Sequence, residues 1–209
     1  MSEKDLTVIP ETTEPLETGA TSQLVTLAEN TKLLNNISKL AKMYATSTII
    51  PNTYQGKPDN CFVAIEVAGR MGVSPTFVMQ NLYVVQGRPS WSGQACIALI
   101  NGCGKFDDLE FEFFGKKGSP EYGCKVSAVR KSDGKRLEGT AITMQMAQDE
   151  GWLNKGGSKW KTMPDQMLMY RAAAFFARVH CPNVLMGFQT VEELGDITPD
   201  EQPKQTISL

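Results

Sequence analysis

The apolar residues Leu33, Ile37, Leu40 and Tyr44 recur at the i, i+4, i+7, i+11 spacing of one helical face. This predicts an amphipathic helix somewhere after Ser22 that Pro51 stops. Asp59 and Asn60 are candidate caps for a second helix over 61–71, whose run Phe62-Val63-Ala64-Ile65 points to deep burial before Gly72 ends it. A short segment over 75–80 follows. The apolar period then shortens. Leu82-Tyr83-Val84-Val85 reads as a strand and Gly87-Arg88-Pro89 as a turn. A helix over 92–100 comes next and closes in Asn101-Gly102-Cys103-Gly104. Leu109, Phe111 and Phe113 alternate with Glu110, Glu112 and Phe114, residues 115–120 turn the chain into a strand over 122–130, and Ser132-Asp133-Gly134-Lys135 returns it along 136–142. Three antiparallel strands are therefore expected. A short helix near 143–150, a polar loop over 151–163 and a strong helix over 164–180 complete the pattern, with Thr162 as candidate N-cap and Pro182 just beyond the end. Thr190-Val191-Glu192-Glu193 is a capping box that opens one last short turn. The fold class predicted is α+β, with an antiparallel β-hairpin sheet packed against helices.

The ends lack such periodicity. Residues 1–21, rich in Thr, Glu and Pro, are expected to form a disordered acidic tail, 22–195 a single core domain, and 196–209 a short acidic C-terminal tail. The apolar stretches at 61–68 and 167–179 fall short of the ~20 residues of a membrane span, and the opening MSEKDLTVIPETTEP has no signal-peptide character, so a soluble, cytoplasmic protein without membrane partners is expected. Five cysteines form no C-x-x-C pair and the single histidine, His180, is adjacent to Cys181, which suits reduced structural thiols rather than a metal site.

A net charge of −2 argues at first against a polyanion-binding protein, but its distribution reverses that: residues 1–30 carry −5 and 189–209 carry −4, which leaves +7 for 31–188. Enzyme chemistry has little to work with. The nearest approach to a phosphate-cradling loop, Gly102-Cys103-Gly104-Lys105-Phe106, has Leu99 at the position of the first glycine and Phe106 in place of Ser or Thr. One histidine at a helix end offers a poor general base. Asp107, Asp108, Glu110 and Glu112 hold the residue types of a Mg²⁺ site, yet Glu110 and Glu112 alternate with phenylalanines as a solvent-facing strand does. No catalytic residue, metal or cofactor is expected.

Binding features are richer. Lys116, Lys117, Lys125, Arg130, Lys131, Lys135 and Arg136 stand against only Glu121 and Asp133, a local net charge of +5 over 116–136 that is concentrated at two hairpin turns. A second cluster, Lys155, Lys159 and Lys161, lies in a glycine-rich stretch beside Trp152 and Trp160. Cations interleaved with flat rings suit a single strand, whose phosphates take the charge while its bases stack. Core anchoring is the competing role of both tryptophans. Arg171 and Arg178 are seven residues apart, about 20° short of two helical turns, so they share a face with Ala174 between them as a shallow channel; buried ion pairing is the competing role here. Leu168, Phe175 and Val179 are expected to face the core.

Three stretches together resemble the RecT family of phage single-strand annealing proteins over roughly residues 60–195. They are Gly72-Val73-Ser74-Pro75 followed by Leu82-Tyr83-Val84-Val85-Gln86-Gly87-Arg88; Ile97-Ala98-Leu99-Ile100-Asn101 through Phe106-Asp107-Asp108-Leu109-Glu110-Phe111; and Trp160-Lys161-Thr162-Met163-Pro164-Asp165-Gln166-Met167-Leu168, with Arg171-Ala172-Ala173 and Phe176-Ala177-Arg178 behind it. The resemblance implies an annealing core related in architecture to the lambda Bet protein and to eukaryotic Rad-type annealing proteins. It also implies ATP-independent annealing of complementary single-stranded DNA through a duplex intermediate, assembly of identical subunits into a ring or helical filament, and partnership with a phage 5′-to-3′ exonuclease and a host single-strand-binding protein in the bacterial cytoplasm. Longer family members carry a C-terminal helical region for which about 14 residues remain here after Gly195. The DNA-binding residues expected are Arg171, Arg178, Lys155, Lys159, Trp160, Lys161, Arg88, Lys116, Lys117, Arg130, Lys131, Lys135 and Arg136. A sequence-neutral strand-protection protein and a Mg²⁺-dependent nuclease remain as alternatives.

Overall fold

The computed structural model describes residues 30–85 and 87–197; the expected tails at 1–21 and beyond 197 lie outside the described residues. The chain divides into two compact units, Met1–Ser74 and Pro75–Leu209.

In the first unit, helix α1 (Thr31–Ala45) is capped by Asn30, whose side chain accepts from the Leu33 N–H at 3.0 Å. It packs against α2 (Pro58–Met71). The buried seam of α1 differs from the expected one. Leu33 and Leu40 are each 39% exposed, whereas Ala41 and Ala45 are buried, because the facing surface of α2 presents Cys61, Ala64 and Ala68 and small residues on both sides let the helices approach closely. α1 also ends well short of Pro51. The Gly56 N–H donates to the Ala45 carbonyl at 2.8 Å and folds the connecting segment back onto the helix end. α2 starts earlier than expected, with Pro58 in its first turn and no side-chain cap; the Asn60 amide instead donates to the Thr53 carbonyl. Gly72 ends α2 in the left-handed region, as expected.

The second unit is mixed α+β with antiparallel hairpins. Helix α3 (Pro75–Asn81) leads into β1 (Leu82–Val85), and β1 pairs antiparallel with β2 (Arg88–Trp91). The sequence reading gave Arg88 and Pro89 to a turn. Pro89 can lie in β2 because its register partner is Val84 near the end of a short ladder, where one missing N–H is tolerated. Ser92 then caps α4 (Gly93–Gly102), accepting from the Ala95 N–H at 3.1 Å. A second sheet follows: β3 (Glu110–Phe114), β4 (Gly123–Val129) and β5 (Arg136–Glu138) in that order, with β6 (Ile142–Thr143) also paired to β4. Every pairing in this sheet is antiparallel. Thr143 caps α5 (Met144–Asp149).

The expected polar loop over 151–163 is largely ordered into a single 3-10 turn, Trp152–Asn154, and a short helix α6 (Lys159–Thr162). Thr162 closes α6 and Met163 precedes α7 (Pro164–His180) without a side-chain cap, so Thr162 is not the N-cap of the long helix. α7 packs against both α4 and β4. Contact on two sides explains why Ala172, Ala173, Ala174 and Ala177 are all buried: their small side chains let the helix approach both neighbours closely. Leu168 faces the core as expected, but Val179 is 71% exposed near the end of the helix. Phe106 and Phe176 meet edge to face with centroids 5.6 Å apart, and Trp91, fully buried, donates from Nε1 to the Leu185 carbonyl. After a 3-10 turn at Pro182–Leu185, β7 (Gln189–Thr190) joins β2 in parallel and α8 (Val191–Ile197) begins. The capping box is present as expected: the Thr190 N–H donates to Glu193 Oε2 at 2.8 Å and the Glu193 N–H to Thr190 Oγ1 at 3.3 Å.

Candidate nucleic-acid interface

One segment from each basic cluster borders a single cleft of the second unit: the β3–β4 turn that bears Lys116 and Lys117, and α6 with Lys161. Gly115 opens the β3–β4 turn with φ at 75°, and a Cβ there would stand 2.5 Å from the Glu121 carbonyl oxygen, so the turn closes this tightly only with glycine. The tight turn carries Lys116 and Lys117 toward the start of α7. There Lys117 Nζ lies 2.6 Å from Asp165 Oδ2, and the Tyr122 hydroxyl donates to Asp165 Oδ1 at 2.9 Å. The hydrogen bonds from Lys117 and then Tyr122 hold the Asp165 carboxyl below the usual carboxylate range, and the same carboxylate holds the Lys117 ammonium above its ordinary value. Both partners are open to solvent, so the pair is weakly held and exchanges readily for another anion.

Behind this pair runs an open cleft of about 370 Å³, lined by Gly118, Pro120 and Tyr122 on one side, Met144 and Leu153 below, and Trp160, Lys161 and Pro164 on the other. Its walls are mostly apolar and the exposed Lys161 stands at its edge, while the turn that lines it through Gly118 and Ser119 carries Lys116 and Lys117 just before them. On the far side of the same junction Lys159 and Met163 line a second, smaller pocket with the Tyr170 ring.

The tryptophans do not offer free faces. Trp152 and Trp160 are 5% and 1% exposed and pack against each other with centroids 5.0 Å apart, so Trp160 is a core anchor rather than a platform for stacked bases. Arg171 is also buried. Its guanidinium sits 3.8 Å from the Trp152 ring centroid and pairs with Asp196, which in turn accepts from Trp160 Nε1 at 2.9 Å. Burial lowers the Arg171 pKa and raises that of Asp196: desolvation outweighs their mutual attraction for both groups. Asp196 therefore belongs to the folded core and not to the acidic tail in which the sequence reading placed it. Arg178 is partly exposed and pairs at 2.5 Å with Glu193, whose carboxylate is buried. Ala174, the supposed channel floor between the arginines, is 1% exposed.

The remaining candidates disperse. Lys155 donates to the Gly195 carbonyl at 2.6 Å. Arg88 is exposed on β2, in the other sheet. β4, seven residues and about 20 Å long, separates Lys116 and Lys117 from Arg130, Lys131, Lys135 and Arg136 at the opposite hairpin turn. There Arg130 pairs with Asp133, Arg136 with Glu110, and Lys131 approaches Asp107 at 3.9 Å, while Lys135 is exposed. Three of the four carboxylates with the residue types of a Mg²⁺ site face cations: Glu112 pairs with Lys125 as Glu110 does with Arg136, and Asp107 stands near Lys131. Among the described residues no group of three or more His, Cys, Asp or Glu is arranged to hold a metal ion, and no single helix is long and apolar enough to cross a membrane.

Sequence reasoning missed Asp165 and Tyr122, which fix Lys117, and the lining residues Gln94, Gln166 and Tyr170 of the smaller pocket. Asp165 carries a local signal as an acid in a first helical turn, but its partner is 48 residues away and no local pattern announces it. No family model, curated protein or solved structure matches the chain.

Proposed function

We propose that this protein is an ATP-independent single-strand DNA-binding and annealing protein of the RecT type. The observation that carries the reading is one apolar cleft lined both by Lys161 and by Gly118 and Ser119 of the turn that bears Lys116 and Lys117, although 44 positions separate Lys117 from Lys161 in the sequence. A phosphate chain is a repeating anion, so it binds where ammonium groups from different elements line a continuous path, and it displaces weak surface partners such as Asp165 at little cost. The apolar wall beneath favours bases over water, which selects a strand whose bases are unpaired. Pairing with a complementary strand supplies the driving force for annealing, so no nucleotide hydrolysis is needed. Neighbouring copies of the chain would extend the path beyond one cleft.

The test is to mix two complementary labelled oligonucleotides with the protein, without ATP, in the presence and absence of EDTA. Faster pairing in both conditions is expected. Slower pairing would assign strand protection instead, and cleavage abolished by EDTA would assign the nuclease.

A further inference from the structure

The smaller pocket, about 180 Å³, lies between the starts of α4 and α7. We propose that this pocket, walled by Tyr170 and Met163 and edged by Gln94, Gln166, Lys159 and Glu192, receives one unstacked nucleobase of a bound strand. The inference rests on the single-strand binding proposed above and assigns it a base-recognition subsite.

Size comes first. Pockets that take whole small ligands begin near ~300 Å³, so this one fits a single ring system and not a folded cofactor or a peptide segment. Charge comes second. Lys159 and Glu192 both line it, so the pocket neither attracts a free anion nor a free cation, whereas a neutral heterocycle with donors and acceptors along one edge meets both. The walls suit such a ring. Tyr170 presents an aromatic face and Met163, 46% exposed, a polarizable thioether.

The pocket is also held in shape. A Cβ at Gly93 would fall 2.5 Å from Tyr170 Cγ, so the tyrosine packs directly on that glycine and any larger residue there would displace it. The Gln166 amide donates to the Tyr170 hydroxyl at 2.5 Å, and the Gly93 N–H donates to Glu192 Oε2 at 2.9 Å, fixing two of the polar groups at the edge. A preformed wall loses little freedom on binding. Side-chain amides carry a donor and an acceptor on one rotatable group, so Gln94 can turn to match any of the four bases and the subsite need not read sequence. Position completes the case. Lys159 and Met163 line this pocket while Trp160, Lys161 and Pro164 line the larger cleft, so one short segment borders both and a strand held in the cleft has a base within reach of the pocket.

The test compares the full chain with a Gln94→Ala/Met163→Ala/Gln166→Ala variant, all three residues being exposed. Each is titrated with a single-stranded oligonucleotide, with a fully abasic strand of the same length, and with a free nucleoside. The unaltered protein is expected to bind the abasic strand at least about fivefold more weakly, the lower bound for losing one stacked base. The variant should lose about fivefold of that discrimination, the share of one base in this pocket as distinct from bases on the wall of the larger cleft, while the dependence of binding on salt stays unchanged, and the free nucleoside should not saturate the pocket at concentrations where the strand does. Equal discrimination in variant and unaltered protein overturns the subsite but leaves strand binding intact. Saturation by the free nucleoside without competition from the strand assigns the pocket to a separate heterocycle and overturns it too. Absence of binding to any strand overturns the functional reading together with the subsite.

Discussion

Arg171 and Arg178 sit on one helix face, but their surroundings give them different work. Arg171 is enclosed with Asp196 and two tryptophans, so Arg171→Ala strands a buried carboxylate and is predicted to cost about 3–5 kcal/mol in urea unfolding. Replacing both partners, Arg171→Met with Asp196→Asn, should recover most of that loss, since a neutral pair avoids the desolvation that each charge suffers and Asn keeps an acceptor for Trp160 Nε1. A similar loss from the double replacement would contradict the assignment. Arg178→Ala leaves Glu193 held by Thr190 and should cost roughly 1–3 kcal/mol. The seven-residue spacing was legible in the sequence. Which arginine is buried was not, because that depends on Asp196, 25 residues on, and on Trp152 in a segment read as loop. The thiols follow simpler rules. Cys61, Cys96, Cys124 and Cys181 are buried, and burial pushes the thiols of Cys124 and Cys181 up to about 11, so in the folded protein only Cys103 should react promptly with a thiol reagent, against five after denaturation.

At the scale of elements, the strands and long helices follow from periodicity and turn chemistry. The hairpins and α7 lie where alternation and the Thr-Met-Pro start place them, within a few residues. The misses share a cause. β2, α6 and the true seam of α1 are set by what packs on them, and Arg88-Pro89 or Gly156-Gly157 look like loop to any local rule. α8, expected as one last short turn, is a strap whose three carboxylates each meet a donor: Glu192 on the Gly93 N–H, Glu193 on Arg178, Asp196 on Arg171. Burial raises the Glu192 pKa, so the folded chain holds that proton more tightly than the unfolded one. Its contribution to stability is therefore fully present below the unfolded value of about 4.3 and is lost as pH rises through the raised folded value. Glu192→Gln, which keeps an acceptor for Gly93, should be more stable than the unaltered protein at pH 7, with the difference shrinking toward pH 4. A difference that grows on acidification would contradict this account of the strap.

For the whole molecule, the excess of positive charge between acidic ends was legible from the sequence, but its division was not. Roughly half of the cations expected to meet DNA are paired with carboxylates on the sheet face or under α8, while Lys161 lines the cleft and Lys116 and Lys117 belong to the turn that borders it, two segments that only the fold brings together. Strand binding should therefore weaken with salt at a slope of about 0.7 per phosphate neutralised, and Asp165→Asn, which removes a negative charge from beside Lys117, should tighten it. The most direct measurement is the rate at which two complementary oligonucleotides pair, without ATP, on the unaltered protein and on Lys116→Ala/Lys117→Ala/Lys161→Ala, with melting temperature recorded for both. Faster pairing on the unaltered protein, and its loss in a variant that melts at the same temperature, is the predicted result. Equal acceleration by both proteins, or none by either, would contradict the assignment of this cleft to strand annealing.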